Sequence, residues 1–523
     1  MKRGLLTYIM LLAIGSIQAQ TEATAPKLVV SITIDQLRSD YLENFSSLYG
    51  NDGFKRLMRN GKVYYQTDFE FRTPDEASSI ATISTGTTPS VHGIVSNEWF
   101  DIHTLNTRNC VDDSQYIGNF TILNSSAAQL LASTVADELK VQTNGSALVY
   151  SIAPTREAAI LSVGHAANCA LWLNDANGKW CSTTYYNDFP YWINQYNDKQ
   201  SPDYTIKGTV WAPTLPVENY RFLPTAPSAP FKYQLTDDRI NQYRHLIASP
   251  FINDEVNKLT EELLNRSEIG KDNTPDYLAL TYYTGYYNHQ GATGHEAEIQ
   301  DAYVRTDRSL AQLLNLLDRK IGLNNLIVCV SSTGGNRSEA TEPKKFRIPT
   351  GEFYLNRCAT LLNVYLMATY GEGQYVEAYY DKQIFLNHKL IESKQLNLSD
   401  IQEKAAQFLI QFSGVNEVYS ETDLLLGSWS PLKEKVRNGY HRNRSGDLLL
   451  EILPGWTIVN EKDPSLNETV YSALPSTPFI IYGAGVKPET VRTPISAKRI
   501  APTLASALHI RAPNASEAFP LDF

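Results

Sequence analysis

Three short, almost entirely apolar runs constrain the fold of this chain more than any other feature. They lie at 27–34 (KLVVSITI), 277–281 (YLALT) and 326–331 (LIVCVS). Runs of this length and β-branched content are typical of strands buried on both faces of a parallel sheet. Between the last two runs, apolar side chains recur at helical spacing over 296–321, and Gly322 favours a helix end there. The sequence therefore predicts a strand–helix–strand unit with a right-handed connection.

Other segments extend this pattern. We predict further strands at 147–152 and 478–482, and helices at 52–60, 75–85, 253–265 and 499–508. Residues 187–233 are rich in Tyr, Pro, Trp and Asn with little periodicity, which predicts a long decorated loop. Residues 374–425 combine Tyr-rich alternation with a helical pattern over 398–412, and predict an inserted α+β subdomain. The fold class is therefore α/β, with a mostly parallel central sheet sandwiched by helices and its chemistry at the carboxyl ends of the strands.

The N-terminus has the features of a signal peptide. Lys2 and Arg3 precede an apolar stretch at 5–14 that is too short to span a bilayer, and 16–19 (SIQA) ends in a small residue. We therefore predict a signal peptide at 1–19, removed before Gln20, and an exported protein that is periplasmic or secreted. No later run of 18 apolar residues occurs, so no integral membrane segment is expected after signal removal.

Charge and cysteine content narrow the class of protein further. The 523 residues include 46 Lys and Arg against 56 Asp and Glu, a net charge of −10 that disfavours a nucleic-acid partner. Five cysteines are too few for a disulfide scaffold, and their number is odd, so they cannot all be paired within the chain. Cys169 and Cys181 are equidistant from a predicted hairpin centre near residue 175, so they either form a disulfide or are two separate small apolar residues.

Six motifs in order along the chain resemble one known family. They are 29–41 (VVSITIDQLRSDY), 53–57 (GFKRL), 84–99 (STGTTPSVHGIVSNEW), 151–153 (SIA), 478–483 (PFIIYG) and 500–521, which contains APTLASAL and PNASEAFPL. The sequence resembles the alkaline phosphatase superfamily, specifically the type I phosphodiesterase/nucleotide pyrophosphatase branch and its phosphate-irrepressible alkaline phosphatases. The resemblance implies one alkaline-phosphatase-like domain over 20–523. It also implies hydrolysis of phosphate esters by a pair of zinc ions.

The metal positions that the resemblance implies are mostly substituted. Asp35 and His289 match two family ligands, whereas Gly285, Thr333 and Gly334 stand where the family has an Asp, an Asp and a His. No histidine lies between His441 and His509, so the late family ligand is also missing. Each zinc needs at least three N or O protein ligands, and two residues cannot supply two ions.

The positions that act on phosphate are also changed. Glu76 stands at the position of the hydroxyl nucleophile, and Asn97 retains a phosphate-contact position. Thr155 and Glu157 replace the Lys and Arg that bind phosphate oxygens in the family's phosphomonoesterases. Carboxylates at these places repel a phosphate dianion.

Two hypotheses follow from these substitutions. In the first, the chain is a catalytically degenerate phosphatase that needs no cofactor and acts as a binding or partner protein for an unknown protein or small molecule. The alternative is a divergent metal-dependent phosphoric-ester hydrolase with a site rebuilt around Asp35, Glu76 and His289. Such a site would hold one divalent ion, zinc as in the family or Mg²⁺ or Ca²⁺, and Glu76 would serve as a carboxylate nucleophile. We interpret His92 as a structural turn residue and His165 as a residue that holds a loop in position. Neither histidine belongs to the rebuilt site.

Overall fold

The strand Leu28–Asp35 lies at the centre of the molecule, and all eight of its residues are buried. The computed structural model describes residues 25–223, 230–236, 238–285, 294–334, 348–462, 467–471 and 474–523. Within them, an eleven-stranded sheet contains five neighbouring parallel strands, which in spatial order are Leu326–Ser332, Leu28–Asp35, Asp276–Tyr283, Val149–Ala153 and Cys169–Leu173. The predicted α/β class with a mostly parallel sheet is confirmed.

Further strands, joined to the parallel ones by an antiparallel pairing on each side, complete the sheet. On one side, Thr477–Gly483 pairs with Leu326–Ser332 and with Lys62–Asp68. The short strands Glu489–Val491 and Ile495–Ser496 lie beyond it, parallel to Lys62–Asp68. The other side ends with Trp180–Thr183 and Gly118–Asn119.

Helices cover both faces of the sheet, because alternate residues of each buried strand point to opposite sides. Ile32 and Ile34 pack in one core with the helices Phe251–Arg266 and Glu296–Lys320. Val29 packs in the other core, with the helices Glu76–Thr85, Arg156–Val163 and Ile500–Ala507. The other helices of this unit are Ser39–Asn44, Phe54–Asn60, Pro89–His92, Val135–Gln142, Tyr191–Lys199, Pro202–Thr205 and Gln242–Ile247.

Residues 187–233, predicted as a long loop, contain a nine-residue helix, Tyr191–Lys199. Its buried residues Ile193, Tyr196 and Asn197 have helical spacing. The Asn197 side chain accepts a hydrogen bond from Trp180 N (2.9 Å) and donates one to Trp180 O (2.8 Å). Because this contact to the strand Trp180–Thr183, rather than a strong local pattern, holds the helix in place, its own segment has too little local signal for the helix to be predicted.

Asp301 anchors the rest of this region to the main unit. Its fully buried carboxylate accepts hydrogen bonds from four donors: Trp211 Nε1 (2.8 Å), Thr214 N (2.6 Å), the Tyr220 hydroxyl (2.7 Å) and Arg305 Nε (2.7 Å). The short strands Val210–Trp211 and Tyr233–Gln234 pair nearby. One carboxylate on the long helix therefore organises a segment that has little regular structure of its own.

A second, smaller core surrounds a four-stranded antiparallel sheet. In spatial order its strands are Val376–Tyr380, Gln383–Leu386, Leu448–Ile452 and Val415–Ser420. The helices beside it are Leu355–Tyr370, His388–Ser393, Leu398–Leu409, Glu421–Leu426 and Pro431–Gly439. Leu362 and Leu450, which lie outside the predicted limits 374–425, pack in this core with Ile401. We therefore propose that the inserted unit extends beyond the predicted limits on both sides.

Two small groups of strands remain among the described residues. The strands Glu98–Asp101 and Asn106–Asn109 form a hairpin. The strand Thr457–Ile458 pairs with Glu352–Phe353 and with Glu468–Thr469. No helix in the described parts of the chain is both long and apolar enough to cross a membrane.

The hairpin that carries Cys169 and Cys181 has a different register from the predicted one. Trp172 lies opposite Cys181, and Leu173 lies opposite Trp180, so the turn is centred between residues 176 and 177. Cys169 is three residues from Trp172 and therefore points to the opposite face of the sheet, where it packs in the other core. All five cysteines are free and buried. The disulfide alternative is therefore wrong, and both residues are small apolar core residues.

Candidate functional site

The carboxyl ends of three central strands bring four of the predicted metal positions together. Asp35 ends its strand opposite Tyr283, so Gly285 follows two residues beyond that pair. Thr333 and Gly334 follow the strand Leu326–Ser332 on the other side. The Thr333 hydroxyl donates to Asp35 Oδ1 (2.5 Å). His289 lies outside the described residues.

The turn after Asp35 is held by side chains from neighbouring elements. Gln36 has a φ of 64°, which is uncommon for a residue with a side chain. The Tyr303 hydroxyl donates to Gln36 O (3.1 Å) and accepts from Arg38 N (2.8 Å). Ser332 Oγ donates to Leu37 O (2.8 Å). This turn therefore has a fixed conformation beside the strand ends.

Gln36 fills the space beside Gly285. A Cβ atom added to Gly285 would lie 2.5 Å from Gln36 Oε1. The Gln36 side chain is buried, and neither its oxygen nor its nitrogen has a hydrogen-bond partner among the residues that the structure describes. Gln36 was not predicted as a site residue, because the loss of a side chain at 285 indicates only that some neighbour must fill the space and not which one.

The described residues do not fit the two-zinc site that the resemblance implies. Gly285 offers no side chain, and the Thr333 hydroxyl is bonded to Asp35 rather than aimed at a separate ion. No group of three His, Cys, Asp or Glu side chains suitable for a metal occurs in the described parts of the chain. A zinc ion needs at least three such ligands.

The predicted nucleophile position opens a well-capped helix. Glu76 is the first residue of Glu76–Thr85, and Asp75 is its N-cap. Asp75 accepts hydrogen bonds from Ser78 N (2.9 Å) and Asn97 N (2.6 Å). Asn97 Oδ1 in turn accepts from Ala77 N (2.9 Å). Burial raises the pKa of Asp75, although these hydrogen bonds oppose the effect. Asn97, predicted to retain a phosphate-contact position, thus fixes the first turn of the helix.

Thr155 connects two of the positions predicted to be substituted. It is the N-cap of Arg156–Val163, and its Oγ1 accepts from Ala158 N (3.3 Å). The same hydroxyl lies 3.1 Å from both carboxylate oxygens of Glu76, to which it donates. Thr155, predicted to replace the family's Lys, therefore binds Glu76, predicted to stand at the nucleophile position.

The neighbouring charged residues bind each other. Glu157 Oε1 accepts from Asn109 Nδ2 (2.5 Å) and from Arg156 Nε (3.3 Å). Arg156 Nη1 donates to Asp112 Oδ1 (2.7 Å) and to Ser125 Oγ (3.0 Å). Arg156, the one basic residue of the segment 155–157, therefore already forms hydrogen bonds with side chains of the protein.

A cavity of about 780 Å³ lies beside Asp75, the N-cap of the helix Glu76–Thr85. Pro74, Asp75 and Gly334 line one part of it, and strand residues of the smaller sheet, including Tyr419 and Glu451, line another. Asp35, Glu76 and Thr155 are not among its lining residues. Ion pairs connect its walls, for example Arg72 Nε to Glu451 Oε1 (2.7 Å). Its volume is typical of ligand pockets.

His92 has a structural environment. Its Nδ1 accepts from Ile94 N (3.1 Å), so the hydrogen-bond pattern assigns the ring proton to Nε2, which lies 3.1 Å from Thr82 Oγ1. Burial, together with the charge of Arg444, lowers the pKa of His92 to about 3. This histidine is therefore neutral and holds the turn after Pro89–His92.

His165 should make stability depend on pH. Its Nδ1 donates to Asp137 Oδ2 (3.0 Å) and its Nε2 to Leu130 O (2.9 Å), and the hydrogen bond to Asp137 raises the pKa of His165. A raised pKa stabilises the fold fully below the ordinary value of about 6.5, and this stabilisation is lost as pH rises through the folded-state pKa. Between about pH 6 and 9, Tm should therefore fall more in the wild type than in His165→Gln. Superimposable Tm profiles of the two proteins would contradict this.

A model of the family described as type I phosphodiesterase/nucleotide pyrophosphatase matches residues 29–474. The chain belongs to this family. Its sequence is 27% identical to alkaline phosphatase PafA of Elizabethkingia meningoseptica, covering 99% of this chain and 98% of that protein. It is 28% identical to alkaline phosphatase PhoV of Synechococcus elongatus, covering 96% and 93%. The predicted resemblance is confirmed.

Solved structures of family members agree with the fold. The crystal structure of wild-type PafA superposes with a TM-score of 0.84 at 27% identity, covering 95% of this chain and 98% of that chain. Murine ectonucleotide pyrophosphatase/phosphodiesterase 5 superposes with a TM-score of 0.50 at 14% identity, covering 92% and 95%. At that identity the second similarity shows the fold alone.

Proposed function

We propose that this chain is an exported, catalytically degenerate member of the family that does not hydrolyse phosphate esters and acts as a binding or partner protein. The observation that carries the proposal is the hydrogen bond from Thr155 Oγ1 to the Glu76 carboxylate, 3.1 Å from each oxygen. A carboxylate and its donor stand where the family has a hydroxyl nucleophile and a cation. The two substituted side chains bind each other, so the site has neither the family's nucleophile nor its cation.

Electrostatics at this position oppose phosphoryl transfer. A phosphoryl dianion placed beside Glu76 would meet like charge, and repulsion at about 4 Å costs several kcal/mol in a partly desolvated cleft. Arg156 is bonded to Asp112 and Ser125, so it does not supply the positive charge. Stabilisation of developing charge is usually the largest catalytic contribution, and the described residues of the site do not provide it.

The strand ends support the same conclusion. Thr333 donates to Asp35, and Gln36 lies where a side chain at 285 would point. At both substituted positions a threonine hydroxyl is bonded to a carboxylate. These hydrogen bonds stabilise Asp35 and Glu76 without a metal ion.

The cavity of about 780 Å³ is where we place the binding role. It borders the degenerate site at Asp75 and Gly334 and reaches the smaller sheet, so a ligand would contact both parts of the protein. Its occupant is a protein segment or a small molecule rather than nucleic acid, given the net charge of −10. Export follows from the signal peptide predicted at 1–19, which lies outside the described residues.

Hydrolysis assays test the proposal. The mature protein should release p-nitrophenol from p-nitrophenyl phosphate and from bis(p-nitrophenyl) phosphate no faster than buffer does, with or without added Zn²⁺, Mg²⁺ or Ca²⁺, because nucleophile and charge stabilisation are both missing. PafA serves as the positive control for the assay. Glu76→Ala should behave as the wild type.

A metal-dependent rate would overturn the proposal. If that rate were lost in Glu76→Ala but kept in Glu98→Ala, which removes an exposed carboxylate, it would establish the alternative hydrolase with Glu76 in its rebuilt site. A rate equal in all three proteins would place hydrolysis elsewhere in the chain.

A further inference from the structure

The walls of the cavity of about 780 Å³ carry more negative than positive charge. Among the described residues that line it, five have carboxylates and three have basic side chains. Each basic group already forms an ion pair with one of these carboxylates: Arg72 Nε with Glu451 Oε1 (2.7 Å), Lys435 Nζ with Asp68 Oδ2 (2.7 Å) and Lys382 Nζ with Glu468 Oε2 (3.2 Å). The described lining therefore favours a cation over an anion.

Two carboxylates of the lining remain beyond these three pairs. Asp75 accepts hydrogen bonds from two backbone N–H groups and one hydroxyl, none of which is charged. Asp381 Oδ1 lies 3.4 Å from Lys382 Nζ, which it shares with Glu468. Burial raises the pKa of Asp75, and the charge of Asp381 adds to this effect, so the two carboxylates repel each other. A cation bound between them would relieve this repulsion.

A nearly buried tyrosine of the lining has unused hydrogen-bonding capacity. Tyr419 is 5% exposed, and no other described residue forms a hydrogen bond with its hydroxyl. Burial, together with the charge of the nearby Glu451, raises the pKa of Tyr419 to about 12, so the hydroxyl keeps its proton at neutral pH. Glu451 Oε2 also lacks a partner within the described ranges. Both oxygens accept hydrogen bonds, so they suit a ligand with N–H donors.

We propose that the cavity binds a small organic cation that carries alkylammonium groups. This inference rests on the proposed function, which places the binding role of the protein in this cavity. An ammonium group brings a positive charge for Asp75 and Asp381, and N–H donors for Tyr419. Phe69 and Phe71, which also line the cavity, offer apolar surface to the alkyl chain. A volume of about 780 Å³ is within the range of small-molecule pockets.

Isothermal titration calorimetry of the mature full-length protein with three compounds of equal length tests the proposal. Octane-1,8-diamine is doubly positive at neutral pH, octane-1,8-diol is uncharged and octanedioate is doubly negative. We expect the diamine to bind at least about tenfold more tightly than the diol, and octanedioate more weakly than either, because the lining attracts positive charge. Asp381→Asn should weaken diamine binding about threefold to fivefold, since it removes one carboxylate. Asparagine accepts the positive φ of 39° at this position, so the fold is kept.

Glu403→Gln is the matched control, because Glu403 is exposed on the helix Leu398–Leu409 and does not line the cavity. It should bind the diamine as the wild type does. Absence of diamine binding overturns the inference, as does equal binding by Asp381→Asn or tighter binding of octanedioate. Tighter binding of the tripeptide acetyl-Gly-Lys-Gly-amide than of the diamine would assign the ammonium group to a protein segment and overturn it too. These outcomes are separate from the hydrolysis assays, because hydrolysis would overturn the proposed function even if the diamine binds.

Discussion

Asp301→Ala should lower the free energy of unfolding by about 3–5 kcal/mol, the cost expected when one partner of a buried charge network is removed. Trp211 Nε1, Thr214 N and the Tyr220 hydroxyl would lose their acceptor inside the protein. Arg305 would lose its ion-pair partner, which lies 2.7 Å away. Urea unfolding followed by circular dichroism measures the change.

Asp318→Ala is the control for this substitution. Asp318 lies on the same helix and forms a part-exposed ion pair with Arg56 (3.2 Å). Surface pairs contribute at most about 1 kcal/mol, so this variant should stay close to the wild type. Equal losses in the two variants would show that Asp301 does not anchor the segment around Trp211.

Thr155→Val should destabilise the fold by about 1–3 kcal/mol, because it leaves the Glu76 carboxylate without this donor and Ala158 N without its cap. Valine keeps the shape of threonine, so packing is little changed. A double-mutant cycle with Glu76→Ala isolates the contact between the two side chains. We expect a coupling free energy of about 1 kcal/mol or more, read from urea unfolding of the four proteins.

Additive effects would contradict this account of the site. Independent substitutions add within about 0.3–0.5 kcal/mol, so a coupling below that range would mean that Thr155 and Glu76 do not interact in solution. The Thr155 hydroxyl would then serve the helix cap alone.

Local patterns were enough to predict the central sheet. The run at 27–34 corresponds to the strand Leu28–Asp35, and the helical spacing over 296–321 corresponds to Glu296–Lys320. Apolar composition and spacing are properties of a single segment, so each is visible in sequence. The hairpin register was predicted wrongly because a shift of the turn centre by less than two residues is enough to move Cys169 and Cys181 from one shared face to opposite faces of the sheet.

The site was predictable only in part. The resemblance predicted Asp35, Glu76, Asn97, Thr155 and Thr333 as site positions, because the family motifs occur in order along the chain. It did not predict that Thr155 would bind Glu76, which is 79 residues away, or that Thr333 would bind Asp35 across two strands. Gln36 was missed because its part in the site depends on the space left at Gly285. Contacts of this kind depend on tertiary packing and leave no local sequence signal.

The central claim is that the chain has lost the metal-dependent chemistry of its family. Elemental analysis of the purified mature protein, after incubation with Zn²⁺ and removal of free metal, tests it most directly. We predict fewer than about 0.1 zinc atoms per chain, because the described residues do not form the ligand set that a zinc ion needs. One or more tightly bound zinc atoms per chain would contradict the account.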